Sequence, residues 1–121
     1  MNKNISGTYK LTKYGYFYKN SDKFEPISDW YSGVIHYSDT GYMSVVLRFA
    51  ELPEEFTEIV AYSGTYKVEG NQIIHDVTMS VRPEYENKKL DRVFKLENDM
   101  LELEFENTDE FRKVAFWKKQ F

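Results

Sequence analysis

Polar and apolar residues alternate with a period of two along most of the chain. That spacing turns one face of a strand to a core and the other to water. Leu101, Leu103 and Phe105 alternate with Glu102, Glu104 and Glu106. Ile73, His75, Val77, Met79 and Val81 alternate with Ile74, Asp76, Thr78, Ser80 and Arg82, and Leu90, Arg92, Phe94 and Leu96 with Asp91, Val93, Lys95 and Glu97. The pattern predicts eight strands, near 7–18, 31–38, 42–49, 61–69, 72–82, 89–97, 100–106 and 111–119. Turn-forming runs separate them, among them Ser38-Asp39-Thr40-Gly41, Glu69-Gly70-Asn71 and Glu97-Asn98-Asp99.

Short, regularly spaced strands joined by tight turns make a sandwich or a barrel. The connections favour an up-and-down barrel. The second, fourth and sixth are tight, whereas 19–30, 50–60 and 83–88 are long. Alternate connections of such a barrel lie at one end, so one end is closed and the other carries a mouth. The expected fold is therefore all-β: an eight-stranded antiparallel barrel in a single domain spanning 1–121. Pro53-Glu54-Glu55-Phe56-Thr57-Glu58-Ile59 reads as a short lid helix, with Pro in its first turn and Glu near its start. The first strand changes phase between Tyr9/Leu11 and Tyr14/Tyr16/Tyr18, which calls for a bulge near Lys13 or Gly15.

An eight-stranded barrel is filled by side chains or holds one small ligand. Folding the strands about their turns sets Val34 opposite Val45, His36 opposite Met43, Tyr66 opposite His75, Phe94 opposite Leu103 and Arg92 opposite Phe105, with Met79 near Arg92. The inward set is then apolar except for His36, His75, Arg92 and the tyrosine hydroxyls. Apolar walls with a few placed polar groups are the composition of a ligand pocket. Arg92 suits a carboxylate or carbonyl oxygen; His75 and Tyr66 suit a ligand polar group or proton transfer. The candidate ligand-binding residues are Arg92, His75, Tyr66, His36, Met79 and Phe105, and His75 is the catalytic candidate. Each also has a plainer reading: a hydrogen-bonded core His, or an Arg plugging one barrel end.

Composition narrows the options. Tyr 10 and Phe 9 among 121 residues suit strands. A net charge of −4 with scattered basic residues speaks against nucleic acid. Cys is absent, which removes disulfides, thiolate nucleophiles and Cys-bound metals. Two His with no inward carboxylate give no metal site, and no phosphate loop, dinucleotide motif or nucleophile elbow is present, so no cofactor is expected. No run is long enough to span a membrane and no signal-peptide pattern opens the chain, which reads as cytoplasmic.

Gly7-Thr8-Tyr9-Lys10-Leu11 resembles the opening of the bacterial lipocalin-like domain family, a calycin-type group. The resemblance continues through Gly33-Val34-Ile35-His36-Tyr37-Ser38, Gly41-Tyr42-Met43-Ser44, Ala61-Tyr62-Ser63-Gly64-Thr65-Tyr66, His75 to Ser80 with Pro83, Arg92-Val93-Phe94-Lys95-Leu96 and Phe116-Trp117-Lys118-Lys119. It covers nearly the whole chain and implies a lipocalin-like barrel with a central cavity. Three positions depart from the family pattern: Tyr9 where Trp is common, Asp76 where a second His often follows the first, and Pro83-Glu84-Tyr85 in place of P-x-W. A mechanism built on paired His side chains therefore does not carry over.

The first expectation is a binding module for a small lipophilic or aromatic molecule, its polar end fixed by Arg92, His75 and Tyr66. The alternatives are a cofactor-free isomerase or cyclase, with His75 as acid/base, and a packed scaffold for protein contacts. In the last, exposed Trp30 and Tyr31 would meet a partner, including a second copy in a homodimer.

Overall fold

The computed structural model describes residues 4–52 and 58–120. Nine strands form one antiparallel sheet: β1 (Gly7–Tyr18), β2 (Phe24–Pro26), β3 (Trp30–Tyr37), β4 (Tyr42–Ala50), β5 (Glu58–Glu69), β6 (Gln72–Ser80), β7 (Lys89–Glu97), β8 (Met100–Asn107) and β9 (Phe111–Lys119). From β3 to β9 each strand pairs with the next. β1 closes the ring by pairing with β3 on one edge and β9 on the other, so eight strands make a barrel. β2, which the alternation pattern does not announce, is a three-residue strap laid against Gly15–Phe17 of β1. Gly15 permits that approach, because a Cβ there would run into the Glu25 carbonyl. A 3₁₀ turn, Pro83–Tyr85, lies between β6 and β7. Of the lid helix expected over 53–59, Glu58 and Ile59 instead open β5, and 53–57 lie outside the described residues. No helix among the described residues is long and apolar enough to cross a membrane.

Turn chemistry sets the register. Asn98 and Asp99, both at positive φ (51° and 64°), make the two-residue hairpin whose twist matches its flanking strands. They seat Phe94 opposite Leu103 as expected. Gly70 (φ 60°) and Asn71 do the same for Tyr66 and His75.

The β3–β4 hairpin differs. Ser38 and Tyr42 are bonded through Ser38 N–H to Tyr42 O, which leaves a three-residue loop ending in Gly41 at φ 98°. An odd loop shifts the expected pairing by one residue, and a one-residue slip turns a strand over. The partners are accordingly Ile35↔Val45, His36↔Ser44 and Tyr37↔Met43. Ile35 and Tyr37 point into the core, while Val34 and His36 face solvent.

Bulges account for the remaining phase changes. The first lies between Leu11 and Lys13, where the sequence called for one. Another lies at the β5–β6 pair, where Ser63 faces Met79 but Gly64 faces Val77, leaving Thr78 unopposed. That extra residue reverses the alternation at the end of β6. Val77 and Ser80 are buried and Met79 is 66% exposed.

The barrel interior is filled at the end that carries the tight turns. Trp117, Tyr9, Tyr37, Ile73, Leu101 and Leu103 are all fully buried there. Trp117 reaches far enough across to lie 3.3 Å from the point where a Gly33 Cβ would stand.

Candidate functional site

Toward the end with the long connections the packing opens into a cavity of about 280 Å³. Leu47, Phe49, Val60, Tyr14, Tyr85 and Phe105 supply its apolar wall. The Tyr14 ring packs edge-on against Phe49 (5.8 Å between centroids) and Phe105 (5.7 Å). Five charged side chains also line it: Glu58, Arg82, Arg92, Glu106 and Lys113. Four of them stand on strands, and Arg82 lies just before the 3₁₀ turn. Arg92 alternates inward with Leu90 and Phe94 on β7, and Lys113 with Ala115 and Trp117 on β9.

The charges are unequally matched. Arg82 forms an ion pair with Glu58 at the rim. Lys113 lies opposite Glu106 across the β8–β9 ladder, and its ammonium sits 5.6 Å from the Tyr14 ring centre. Burial lowers the Lys113 pKa. Glu106 opposes that shift, and the Arg82 and Arg92 guanidinium groups reinforce it. Arg92 stacks 4.7 Å over the Phe105 ring and gives a long 3.5 Å hydrogen bond from Nη1 to the Phe105 carbonyl oxygen. Its Nε is sealed from solvent without a partner. Among the described residues no carboxylate forms an ion pair with it.

Beneath Arg92 a buried polar chain runs toward the closed end. Tyr62 lies next to the guanidinium. Burial raises the Tyr62 pKa, and Arg92, by its charge and a hydrogen bond, pulls it back. The Tyr62 hydroxyl meets His75 Nδ1 at 2.7 Å, and the Tyr37 hydroxyl meets His75 Nε2 at 2.6 Å. Burial, with Arg92 adding to it, lowers the His75 pKa to about 3, so the ring is neutral at pH 7. A neutral imidazole has one donor and one acceptor nitrogen. One tyrosine therefore donates to the ring and the other accepts from it.

The expected site residues thus separate. Arg92 and Phe105 meet at the cavity wall. His75 faces inward but is fully buried below the cavity, with both nitrogens occupied. Tyr66 packs on Tyr37 (4.8 Å) and donates its hydroxyl to the Ser38 carbonyl oxygen at 2.5 Å, at the closed end. His36 is not inward: the odd loop turns it outward, where Nδ1 bonds the Thr8 hydroxyl at 2.8 Å. Met79 is likewise outside the barrel, carried there by the bulge at Thr78, and Arg92 pairs with Ile73 instead. Trp30 and Tyr31 are half-buried rather than exposed. Exposed large apolar side chains among the described residues are instead Val34, Tyr42, Val46, Leu52, Ile59, Met79 and Val81.

Lys113, Tyr14, Tyr85 and Phe49 were not singled out from the sequence. Lys113 carried a readable signal, its period-two spacing from Ala115 and Trp117. Tyr85 carried no periodic signal, because it hangs from the 3₁₀ turn rather than from a strand; only the resemblance to the family's P-x-W marked its position.

A family model for the lipocalin-like domain matches residues 6–120 of this chain. The chain belongs to the lipocalin-like domain family. The match spans every strand of the barrel, so the open-ended cavity is a feature of a lipocalin-like barrel and not of a sandwich. No curated protein matches the chain. The lipocalin-like fold fits small-molecule binding in general, and what this lipocalin-like barrel takes up must be argued from its own lining.

Proposed function

We propose that this lipocalin-like protein binds a small, largely apolar molecule in the open-end cavity, with Arg92 fixing the polar end of the ligand. One observation carries the reading. A guanidinium with an orphan Nε sits in a ring-lined cavity and has no carboxylate ion-pair partner among the described residues. Buried polar groups in native proteins are ordinarily satisfied, and an exception calls for an explanation. A ligand polar group against the rest of the guanidinium would give Arg92 a partner that the described residues do not supply. Direct proton transfer by His75 is less well supported, because the ring does not line the cavity and its nitrogens are engaged with Tyr62 and Tyr37.

Titration of ¹⁵N-labelled protein with the neutral probe 1-naphthol tests the reading. Shifts should concentrate at Leu47, Val60 and Phe105. Val60→Trp, which fills the cavity from its wall, should abolish them while the rest of the spectrum stays folded. Shifts confined to the outer wall, or undiminished in Val60→Trp, would reject it.

A further inference from the structure

The lining also speaks to the chemical class of the ligand; this step rests on the binding reading above. We infer that the ligand is a monoanion, a carboxylate carried on a single aromatic ring, with the carboxylate against Arg92 and the ring among Tyr14, Phe49 and Phe105.

The sign of the charge comes from the lining. Of its three cations, Arg82 has Glu58 as an ion-pair partner and Lys113 has Glu106 across the ladder. Among the described residues Arg92 has a ring face, a carbonyl oxygen and a phenol, none of which carries charge. A guanidinium does not shed its proton. A buried charge without a counter-ion is costly, and an ion pair with good hydrogen bonds offsets that cost. A carboxylate restores the balance and fits the guanidinium through two parallel hydrogen bonds.

The neutral groups beneath Arg92 support the same sign. His75 is uncharged, and the phenols of Tyr37 and Tyr62 have pKa values raised by burial, so none of these three groups competes with an incoming anion. The count also limits the ligand to one negative charge. Glu106 and Glu58 both line the cavity and would repel a second.

Size and shape follow from the walls. A cavity of about 280 Å³ has room for on the order of ten non-hydrogen atoms at about 30 Å³ apiece. That is one ring and a short acidic side chain, not a long acyl tail. Tyr14, Phe49 and Phe105 already meet edge to face, which is the packing another ring extends.

Calorimetry with cinnamate and its neutral isostere cinnamamide, on the wild type, Arg92→Met, Arg92→Lys and Glu106→Gln, tests the inference. The wild type should prefer the acid by at least about tenfold, as expected for a charge-assisted hydrogen bond. Arg92→Met should bind both within about twofold of each other at the affinity of the amide. Arg92→Lys should keep part of the preference, and Glu106→Gln should tighten acid binding without affecting the amide. Equal wild-type affinities would overturn the anion assignment and leave the binding reading standing. An acid preference that survives Arg92→Met would overturn the role given to Arg92. If cinnamate, cinnamamide and 1-naphthol all fail to bind the wild type, the binding reading falls and this inference with it.

Discussion

The two ends of the barrel are built from the same kinds of residue and behave differently. Both are rich in tyrosine. Three phenols packed inside the closed end are committed: Tyr9 donates to the Ile5 carbonyl oxygen at 2.8 Å, Tyr66 to that of Ser38, and Tyr37 is bound to His75. Trp117 fills the axis, and its buried indole N–H lacks a partner among the described residues. At the open end the rings stand around a void, and the polar groups among them are charged and incompletely matched. Aromatic content alone therefore does not mark a pocket. What separates a core from a site here is that the rings of the open end stand around a void lined by charged side chains.

Trp117→Ala tests the closed half most severely. Removing a fully buried indole should cost about 3–5 kcal/mol in urea unfolding. A loss below about 1 kcal/mol would mean the two halves differ less than described.

Acid comes next. His75 titrates near 6.5 when unfolded and near 3 in the barrel, so between those values the unfolded chain holds the extra proton. The stability from a neutral His75 is complete above about pH 6.5 and is lost as the pH falls toward 3, with a slope up to about 1.4 kcal/mol per pH unit. Burial raises the pKa of its neighbours Tyr37 and Tyr62, which stay protonated throughout that window, so neither masks the effect. His75→Gln should flatten that part of the pH–stability curve, and an unchanged slope would assign it to carboxylates.

In the open half the sign should reverse. Arg92→Met should leave the ligand-free protein as stable as the wild type, or more stable by about 1 kcal/mol, since it removes an uncompensated charge. A large loss would make Arg92 a structural plug. Smallest of all, His36→Ala should change stability by no more than about 0.5 kcal/mol, because the exposed ring bonds a half-buried threonine outside the barrel.

Much of this architecture was legible in the alternation of side chains, and the failures have identifiable causes. Two-residue turns at Gly70-Asn71 and Asn98-Asp99 keep an even count, and every inward residue read across them was read correctly. The Ser38–Tyr42 hairpin encloses an odd number, which nothing in the alternation of β3 discloses, and His36 was turned inside as a result. Met79 failed because an unopposed Thr78 looks like any other strand residue until its partner strand is known. β2 is too short to carry a period. The polar chain from Arg92 through Tyr62 to His75 and Tyr37 depends on side chains from three neighbouring strands and from β3 across the barrel. Only a correct register for all four would have revealed it.

The seam between β1 and β9 has a consequence for how the molecule is made. It joins Tyr9 to Lys119, residues at opposite ends of the chain. Contacts of such sequence separation give a high contact order and slow folding, on the scale of milliseconds to seconds. During synthesis, β1 and β8 present open edges until the last strand has emerged and docked between them. For that interval the nascent chain is a curled sheet with two sticky margins, the form in which β-proteins are most prone to associate with one another.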